Sequence, residues 1–448
     1  MQPHKEHLTS HSPHHHPHKR TMKILLHSHF PAGHAYPMQA VAQSLIRRGH
    51  QVTWLTSASN EARVLAVGAT FVPTSAIAII DEPLIAANET GILDKEYSRL
   101  QIRLLAQVTD YRRVLRDFKA DVLLVDVMPY GARALCELGE VPVYATLGVI
   151  PMYMSSWGAP QAVSGESPAT SWVGLIWNHI LHLVSQWILL PLLLRPIINA
   201  QRRELGLKNL PYGEPIESFT YSPYLHIQAS SPSLEFKLLP KPPQQREHTK
   251  FVGPVVTQVP TSLAQLPPEW DEIVAHPRVV GITQGTLAMD PTSLIIPAIE
   301  ALSDDPDLLL VVASPHVEEI TSRIGEPPNV RFIRWIPYHL FLPQLCLLIT
   351  NGGYGSITQA LSHKVPLICA GQTEDKKDTA ARVSWASAGI DLKTDNPSTE
   401  QVRRAARTIL DDPGFVERAG HLGDELNELG GAERASELLE ELVESREG

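Results

Sequence analysis

Cysteine is scarce in this 448-residue chain: Cys136, Cys346 and Cys369 are the three, each flanked by apolar residues and none in a CxxC spacing. That excludes a disulfide framework and a cysteine-built zinc site, and leaves buried, reduced thiols of an intracellular protein as the expectation. Positive charge is short as well. With 38 Lys and Arg against 48 Asp and Glu the formal net charge is −10, a field of the wrong sign for general affinity to nucleic acid or anionic membrane. An anionic ligand must therefore be captured locally. The first 21 residues, MQPHKEHLTSHSPHHHPHKRT, lack the apolar run of a secretory signal. Their clustered histidines read as a disordered, tag-like extension, in preference to a metal site.

One stretch lacks charge altogether. SWVGLIWNHILHLVSQWILLPLLL, residues 171–194, is long enough to span a bilayer. Asn178, His179, His182 and Gln186 inside it and Pro191 near its end favour another reading: a helix or helix pair closing an apolar cleft, with peripheral membrane contact through Trp172, Trp177 and Trp187.

What the chain has is alternation. MKILLHS is a short apolar run, followed by MQAVAQSLIRR with Met38, Val41 and Leu45 at helical spacing and a stop at Gly49. QVTWLT, DVLLVD (121–126) and VPVYAT (141–146) repeat the strand signal, with a helical stretch at 97–118 between them. Continuous apolar strands alternating with amphipathic helices predict a parallel sheet covered on both faces. Residues 236–268, rich in proline and polar residues, read as a connection, after which the alternation restarts with VVGIT, LLLVVAS, VRFIRWI, LCLLIT and VPLICAG. Ser398 and Gln401 have capping-box spacing before a helix at 399–411. The expected organisation is an extension (1–21), a first Rossmann-like domain (22–235), a linker (236–268), a second Rossmann-like domain (269–430) and an acidic helix (431–448). Two such open sheets should face each other across a cleft, since their ligands bind beyond the carboxyl ends of the strands.

In each half one strand runs into a glycine turn that opens a helix: LLHSHFPAGHAYPMQAVAQSL and LLITNGGYGSITQAL. Neither turn reads GxGxxG or GxxxxGK[ST], which speaks against a dinucleotide fold or a P-loop nucleoside triphosphatase. The second still suits a phosphate. Gly352 and Gly353 allow close backbone approach, a helix starting near Tyr354 offers N–H groups and the positive end of its dipole, and Ser356 adds a hydroxyl. A tight structural turn with Asn351 as helix cap is the alternative. GITQGTLAM repeats the device one strand earlier, with Gly285 and Thr286.

Taken in order, FPAGHAYPMQAVAQSLIRRGHQVTWLT, FVGPV, GITQGT and the block from NVRFIRWIPYHLF to ASAGIDL resemble the UDP-glycosyltransferase superfamily of natural-product, macrolide and sterol type. The resemblance covers most of residues 22–430 and implies a GT-B fold and inverting, metal-independent sugar transfer from a UDP-sugar to a hydroxyl, with glucose as the expected sugar. It makes His34 the general base and Asp126 the acid that orients it. An imidazole titrates near working pH, and an attacking hydroxyl must lose its proton. It also puts Trp335 against the uracil ring, Gly285, Thr286, Asn351, Gly352, Gly353 and Ser356 around the diphosphate, Gln359 at the ribose, and Asp375 with Lys376 at the sugar.

This chain departs from the family at several of these positions: Asn351 stands where histidine is usual, Gln359 for the ribose-binding glutamate, Tyr338 for a glutamine, and Lys376 for a second glutamine. The expectations are then a UDP-sugar co-substrate with no metal or other cofactor, a lipophilic small-molecule acceptor under the 150–200 region, no nucleic-acid partner, and a cytoplasmic enzyme of secondary metabolism. A UDP-sugar epimerase or hydrolase on the same fold, and a non-catalytic nucleotide-sugar-binding partner protein, are the alternatives.

Overall fold

The computed structural model describes residues 20–87, 92–156, 158–236, 245–257, 266–285 and 290–447. The first sheet holds seven parallel strands, β1 (Lys23–His27), β2 (Gln51–Thr56), β3 (Thr70–Pro73), β4 (Val122–Val125), β5 (Tyr144–Gly148), β6 (His226–Gln228) and β7 (Thr249–Phe251), in the order β3-β2-β1-β4-β5-β6-β7. The second holds β8 (Val279–Thr283), β9 (Leu309–Ala313), β10 (Val330–Ile333), β11 (Leu345–Thr350), β12 (Leu367–Cys369) and β13 (Gly389–Asp391), in the order β10-β9-β8-β11-β12-β13. Strands such as VLLV of β4 and VVGIT of β8 are buried throughout because helices cover both faces of each sheet.

Strand order reverses between β1 and β4 in one sheet and between β8 and β11 in the other. Beyond each reversal the loops must diverge to opposite faces, which opens a crevice at the carboxyl ends of those strands. The segments that open there are 28–34 and 126–130 in the first sheet, and 284–285 and 351–353 in the second.

Several local readings hold. The helix Ala32–Arg47 stops before Gly49, which takes φ +89°, and Ser398 with Gln401 forms a complete capping box on the helix Thr399–Asp411. All three cysteines are free, but only Cys369 is fully buried; Cys136 and Cys346 lie half-buried.

Two segments do more than their composition suggested. The proline-rich stretch 236–268 supplies β7, which pairs with β6 at the edge of the first sheet. The C-terminal helix Gly431–Glu447 returns to the first domain: Ala435, Leu438, Leu439 and Val443 enter the core beneath the helix Ala32–Arg47. Arg48 forks onto Glu440 at 2.9 and 2.7 Å, and His50 Nε2 meets the same carboxylate at 2.7 Å. The apolar segment forms continuous helical turns from Trp172 to Leu193 with a π-turn at Ser185–Leu189, and is long and apolar enough to cross a membrane. Within it only His182 and Pro191 are buried, whereas Trp172, Trp177 and Trp187 are 73, 59 and 47% exposed. Most of its apolar face therefore lines no cleft.

The two domains are tied together by buried polar groups. Glu235 accepts from Tyr354 Oη (2.8 Å) and from Arg382 Nε (2.6 Å), while Arg382 Nη2 donates to the Met152 carbonyl and Gln228 Nε2 to Tyr354 Oη. Asp378 takes the N–H groups of Val163 and Gly165 at 2.6 and 2.7 Å, drawing a loop of the first domain across to the second.

Candidate active site

At the first crevice Asp126 follows directly on β4, and its carboxylate is fully buried. Four donors surround it: the backbone N–H groups of Val127 and His29, His29 Nδ1 at 2.8 Å and His34 Nδ1 at 2.9 Å. Two carboxylate oxygens offer about four acceptor sites, so Asp126 is saturated. Burial opposes its charge, but the charge that His34 takes and the hydrogen bonds from His29 and His34 hold the carboxyl well below its usual range.

His34 sits in the first turn of the helix Ala32–Arg47, opened by Pro31. Burial alone would depress it; the charge and hydrogen bond of Asp126, with smaller help from Asp375 and Glu374, raise it above 6.5. Those last two belong to the second domain, so the first crevice faces them. With Nδ1 on Asp126, the Nε2 lone pair is left for a substrate, and the side chain is 21% exposed. This is the geometry of an oriented base.

The neighbouring histidines separate cleanly. His27 is buried, bonds Tyr111 Oη at 2.6 Å, and is pushed down to about 3, chiefly by that burial; it stays neutral. His29 shares Asp126 with His34. On its far side Nε2 meets Arg103 Nη1 at 3.2 Å, and Arg103 Nη2 pairs with Asp81 at 3.2 Å. A signal for Arg103 existed: Arg103, Gln107 and Asp110 recur at i, i+4 and i+7 on the buried face of the helix Ile92–Leu115. Gln107 grips the loop after Asp126 through the Met128 carbonyl and Gly131 N–H; Asp110 caps residues 75–77.

His29, His34 and Asp126 also form a metal-type cluster, with ligand atoms within 4.8 Å of one another. Each Nδ1 lies at hydrogen-bond length from a different carboxylate oxygen, an arrangement of N–H donors and acceptors, not of lone pairs converging on a point.

The second crevice is built from main chain. Gly352 takes φ +86° and Gly353 is the N-cap of the helix Tyr354–Ser362, so Asn351 is not the cap. Asn351 instead is buried and donates through Nδ2 to the Gln284 carbonyl, joining the turn after β11 to the turn after β8. Gly285 has φ +73°, and a Cβ there would lie 3.1 Å from the Asn351 amide. Thr286 falls outside the described residues. Ser356 N–H turns back to Gly353 O, and the N–H groups of Tyr354 and Gly355 lie where a helix has no partners for them. Tyr338, after the W-x-P, donates to Thr283 Oγ1 at 3.2 Å and lies against the Ser356 hydroxyl.

Trp335 is 64% exposed beyond β10, so its ring face is available and it is not a core residue. Gln359 commits Nε2 to the Gly355 carbonyl at 3.0 Å, leaving its oxygen to accept. Burial pushes the Asp375 carboxyl upward, opposed by His34. Lys376 is nearly buried and donates to Glu374 at 2.5 Å and to Thr373 Oγ1 at 3.1 Å. Its charge is matched inside the turn, where Glu374 adopts φ +56°.

Comparison with known proteins extends over nearly the whole chain. The family described as "Erythromycin biosynthesis protein CIII-like, C-terminal domain" matches residues 300–442. 4'-demethylrebeccamycin synthase of Lentzea aerocolonigenes is 34% identical over 430 residues, covering 92% of this chain and 97% of that protein. UDP-glucosyltransferase B1 of Starmerella bombicola is 28% identical, with 92% and 96% covered. Among solved structures, the glycotransferase of kitacinnamycin superposes with a TM-score of 0.70 at 21% identity, covering 94% of this chain and 99% of that one. Spinosyn rhamnosyltransferase SpnG complexed with thymidine diphosphate gives 0.63 at 23%, with 95% and 100% covered. The two parallel-sheet domains have the GT-B architecture.

Proposed function

The chain belongs to the UDP-glycosyltransferase family and is a glycosyltransferase of natural-product type, and from that premise we propose that it moves glucose from UDP-glucose to a hydroxyl of a lipophilic small molecule, with inversion. The observation that carries this reading is His34, held by Asp126 on one side with Asp375 and Glu374 of the second domain acting on it from the other.

The step balances as a single displacement. The acceptor O–H gives its proton to His34 Nε2, the oxygen bonds to the anomeric carbon, and the bond from that carbon to UDP breaks with its electron pair going to the diphosphate. Asp126 stabilises the imidazolium that forms, and the N-terminus of the helix Tyr354–Ser362 receives the leaving charge. Thr286, Ser356, Trp335 and Gln359 would hold the nucleotide, and Asp375 with Lys376 the sugar. We assign no metal to this step.

The acceptor side is read from the apolar cluster of Met154, Ala159, Tyr221 and Phe236 at the domain junction and from the exposed helix beyond it. That helix packs on the same loop, His182 bonding the Ala159 carbonyl at 3.0 Å. A cytoplasmic enzyme resting on a membrane surface through Trp172, Trp177 and Trp187 fits this layout.

The test is transfer by the purified protein from UDP-glucose to a panel of sterol, polyketide and phenolic acceptors, with dTDP-glucose as a second donor. Product from UDP-glucose that persists in EDTA supports the reading. Preference for dTDP-glucose overturns the donor, loss of activity in EDTA overturns metal independence, and UDP binding with neither transfer nor hydrolysis favours a binding protein.

A further inference from the structure

Arginine can only donate hydrogen bonds. The His29 nitrogen that faces Arg103 Nη1 must therefore present its lone pair, so the ring carries its proton on Nδ1 and gives it to Asp126. In that tautomer His29 supplies Asp126 with a hydrogen bond and no positive charge. The cation next door is matched elsewhere, by Asp81. Were the far nitrogen to take a proton as well, an imidazolium would sit 2.8 Å from the carboxylate and one ring, 5.7 Å between centroids, from His34. It would neutralise Asp126 and repel the positive charge that His34 must accept.

We infer that Arg103 is a positioning residue: its guanidinium fixes the tautomer of His29 and so reserves the charge of Asp126 for His34. The inference rests on His34 as the base. Arg103 is 1% exposed, and its Nε finds no partner among the described residues. An arginine buried with one donor unmet is costly for stability, which argues for a role of its two remaining nitrogens. The groups facing the His29–His34 pair are Asp126 from β4, His27 from β1 backed by Tyr111, Arg103 with Asp81, and Asp375 and Glu374 from the second domain. Of these, Arg103 alone contacts the far nitrogen of His29 through a donor that cannot also accept.

Two readouts test it on the full-length enzyme. Ring nitrogen NMR, with His29→Asn used to assign the signal, should show wild-type His29 protonated on Nδ1 and bare on Nε2 at the pH where the enzyme is most active, as the contacts with Asp126 and Arg103 require. Arg103→Gln, whose amide can accept as well as donate, should let the ring take a second proton. In the same variant the acid limb of kcat/KM should move down by about one pH unit and kcat fall roughly tenfold, as expected when an imidazole loses the charge of a carboxylate partner. KM for UDP-glucose should not change, and Arg103→Lys, which keeps donor and charge, should restore the profile.

An Nε2-protonated or doubly protonated wild-type His29 overturns the inference, as does a fall in kcat with the limb unmoved. The wild-type spectrum decides the matter even where Arg103→Gln does not fold. If His34→Ala still transfers sugar at the wild-type rate, the base assignment fails by itself, and the nitrogen spectrum continues to report on Arg103 and His29.

Discussion

The two sheets reverse strand order in the same way, between β1 and β4 and between β8 and β11, yet they fill their crevices with different materials. Beyond β4 the groups are side chains that hold one another: Asp126 with four donors, His29 and His34 each aimed by that carboxylate, Arg103 and Asp81 behind them. Beyond β11 the groups are glycine backbone, a helix N-terminus and one amide, Asn351, that ties two turns together. Moving a proton needs one atom held at one angle. Holding a diphosphate needs many weak donors over a wide surface, which main chain supplies without a net charge. The same topology therefore hosts a rigid site and a shallow one, and substitutions on the two sides should fail differently.

The largest effect is expected on the first side. General-base catalysis contributes about 10² to 10⁴ in rate, so His34→Ala should lower kcat by about 10³ while UDP affinity, read by calorimetry, stays at the wild-type value. A variant that loses UDP binding in step with turnover would erase the division between the two crevices.

Asp126→Asn should come next, with kcat down roughly 10² and a change in pH dependence that gives its sign. Asp126 raises His34, and the base must be neutral to act. Wild-type kcat/KM should thus be lost as pH falls through a value above 6.5. Without the carboxylate charge that limb should move to lower pH by about one to three units. At about pH 5.5, one unit below an ordinary histidine, the variant should keep a larger fraction of its own maximum than wild type does. A limb that stays in place would mean that another group is titrating.

How much of this was legible depended on distance along the chain. The apolar runs gave β1, β2, β4, β5 and β8–β12, because buried parallel strands need nothing but local composition. β3, β6 and β13 are three or four residues long and carry little pattern, and β7 lay hidden in a proline-rich stretch. His34 and Asp126 came from the resemblance together with the strand-end rule, and the geometry brings them to 2.9 Å. Arg103 did not emerge: a charge on a helix ordinarily reads as a solvated face, and its partner His29 is 74 residues away. The return of Gly431–Glu447 to the first domain was equally remote, although the stripe Ala435, Leu438, Leu439 and Val443 could have been read as an inward face.

On the second side the effects shrink. Trp335 is open to solvent, and stacking of a base on an aromatic ring contributes about 1–3 kcal/mol. Trp335→Ala should weaken UDP roughly tenfold and leave the pH limb of the first side untouched. Equal loss for UDP and for inorganic pyrophosphate would show that the ring does not meet the base.

Asn351 should give the smallest change and the finest division between the crevices. Its Nδ2 holds the Gln284 carbonyl, and a Cβ on the adjoining Gly285 would lie 3.1 Å from that amide. Asn351→Ala removes one hydrogen bond, about 1 kcal/mol, and frees the turn after β8 without touching the Tyr354–Ser362 helix. UDP affinity should fall about fivefold by calorimetry, because 1.4 kcal/mol corresponds to tenfold, while kcat at saturating donor stays within about twofold. Asn351→His places a larger ring against Gly285, so its gain in charge is opposed by displacement of that turn. If Asn351→Ala binds UDP as wild type does, the two turns hold their positions through backbone alone, and the contrast between a side-chain site and a main-chain site becomes complete.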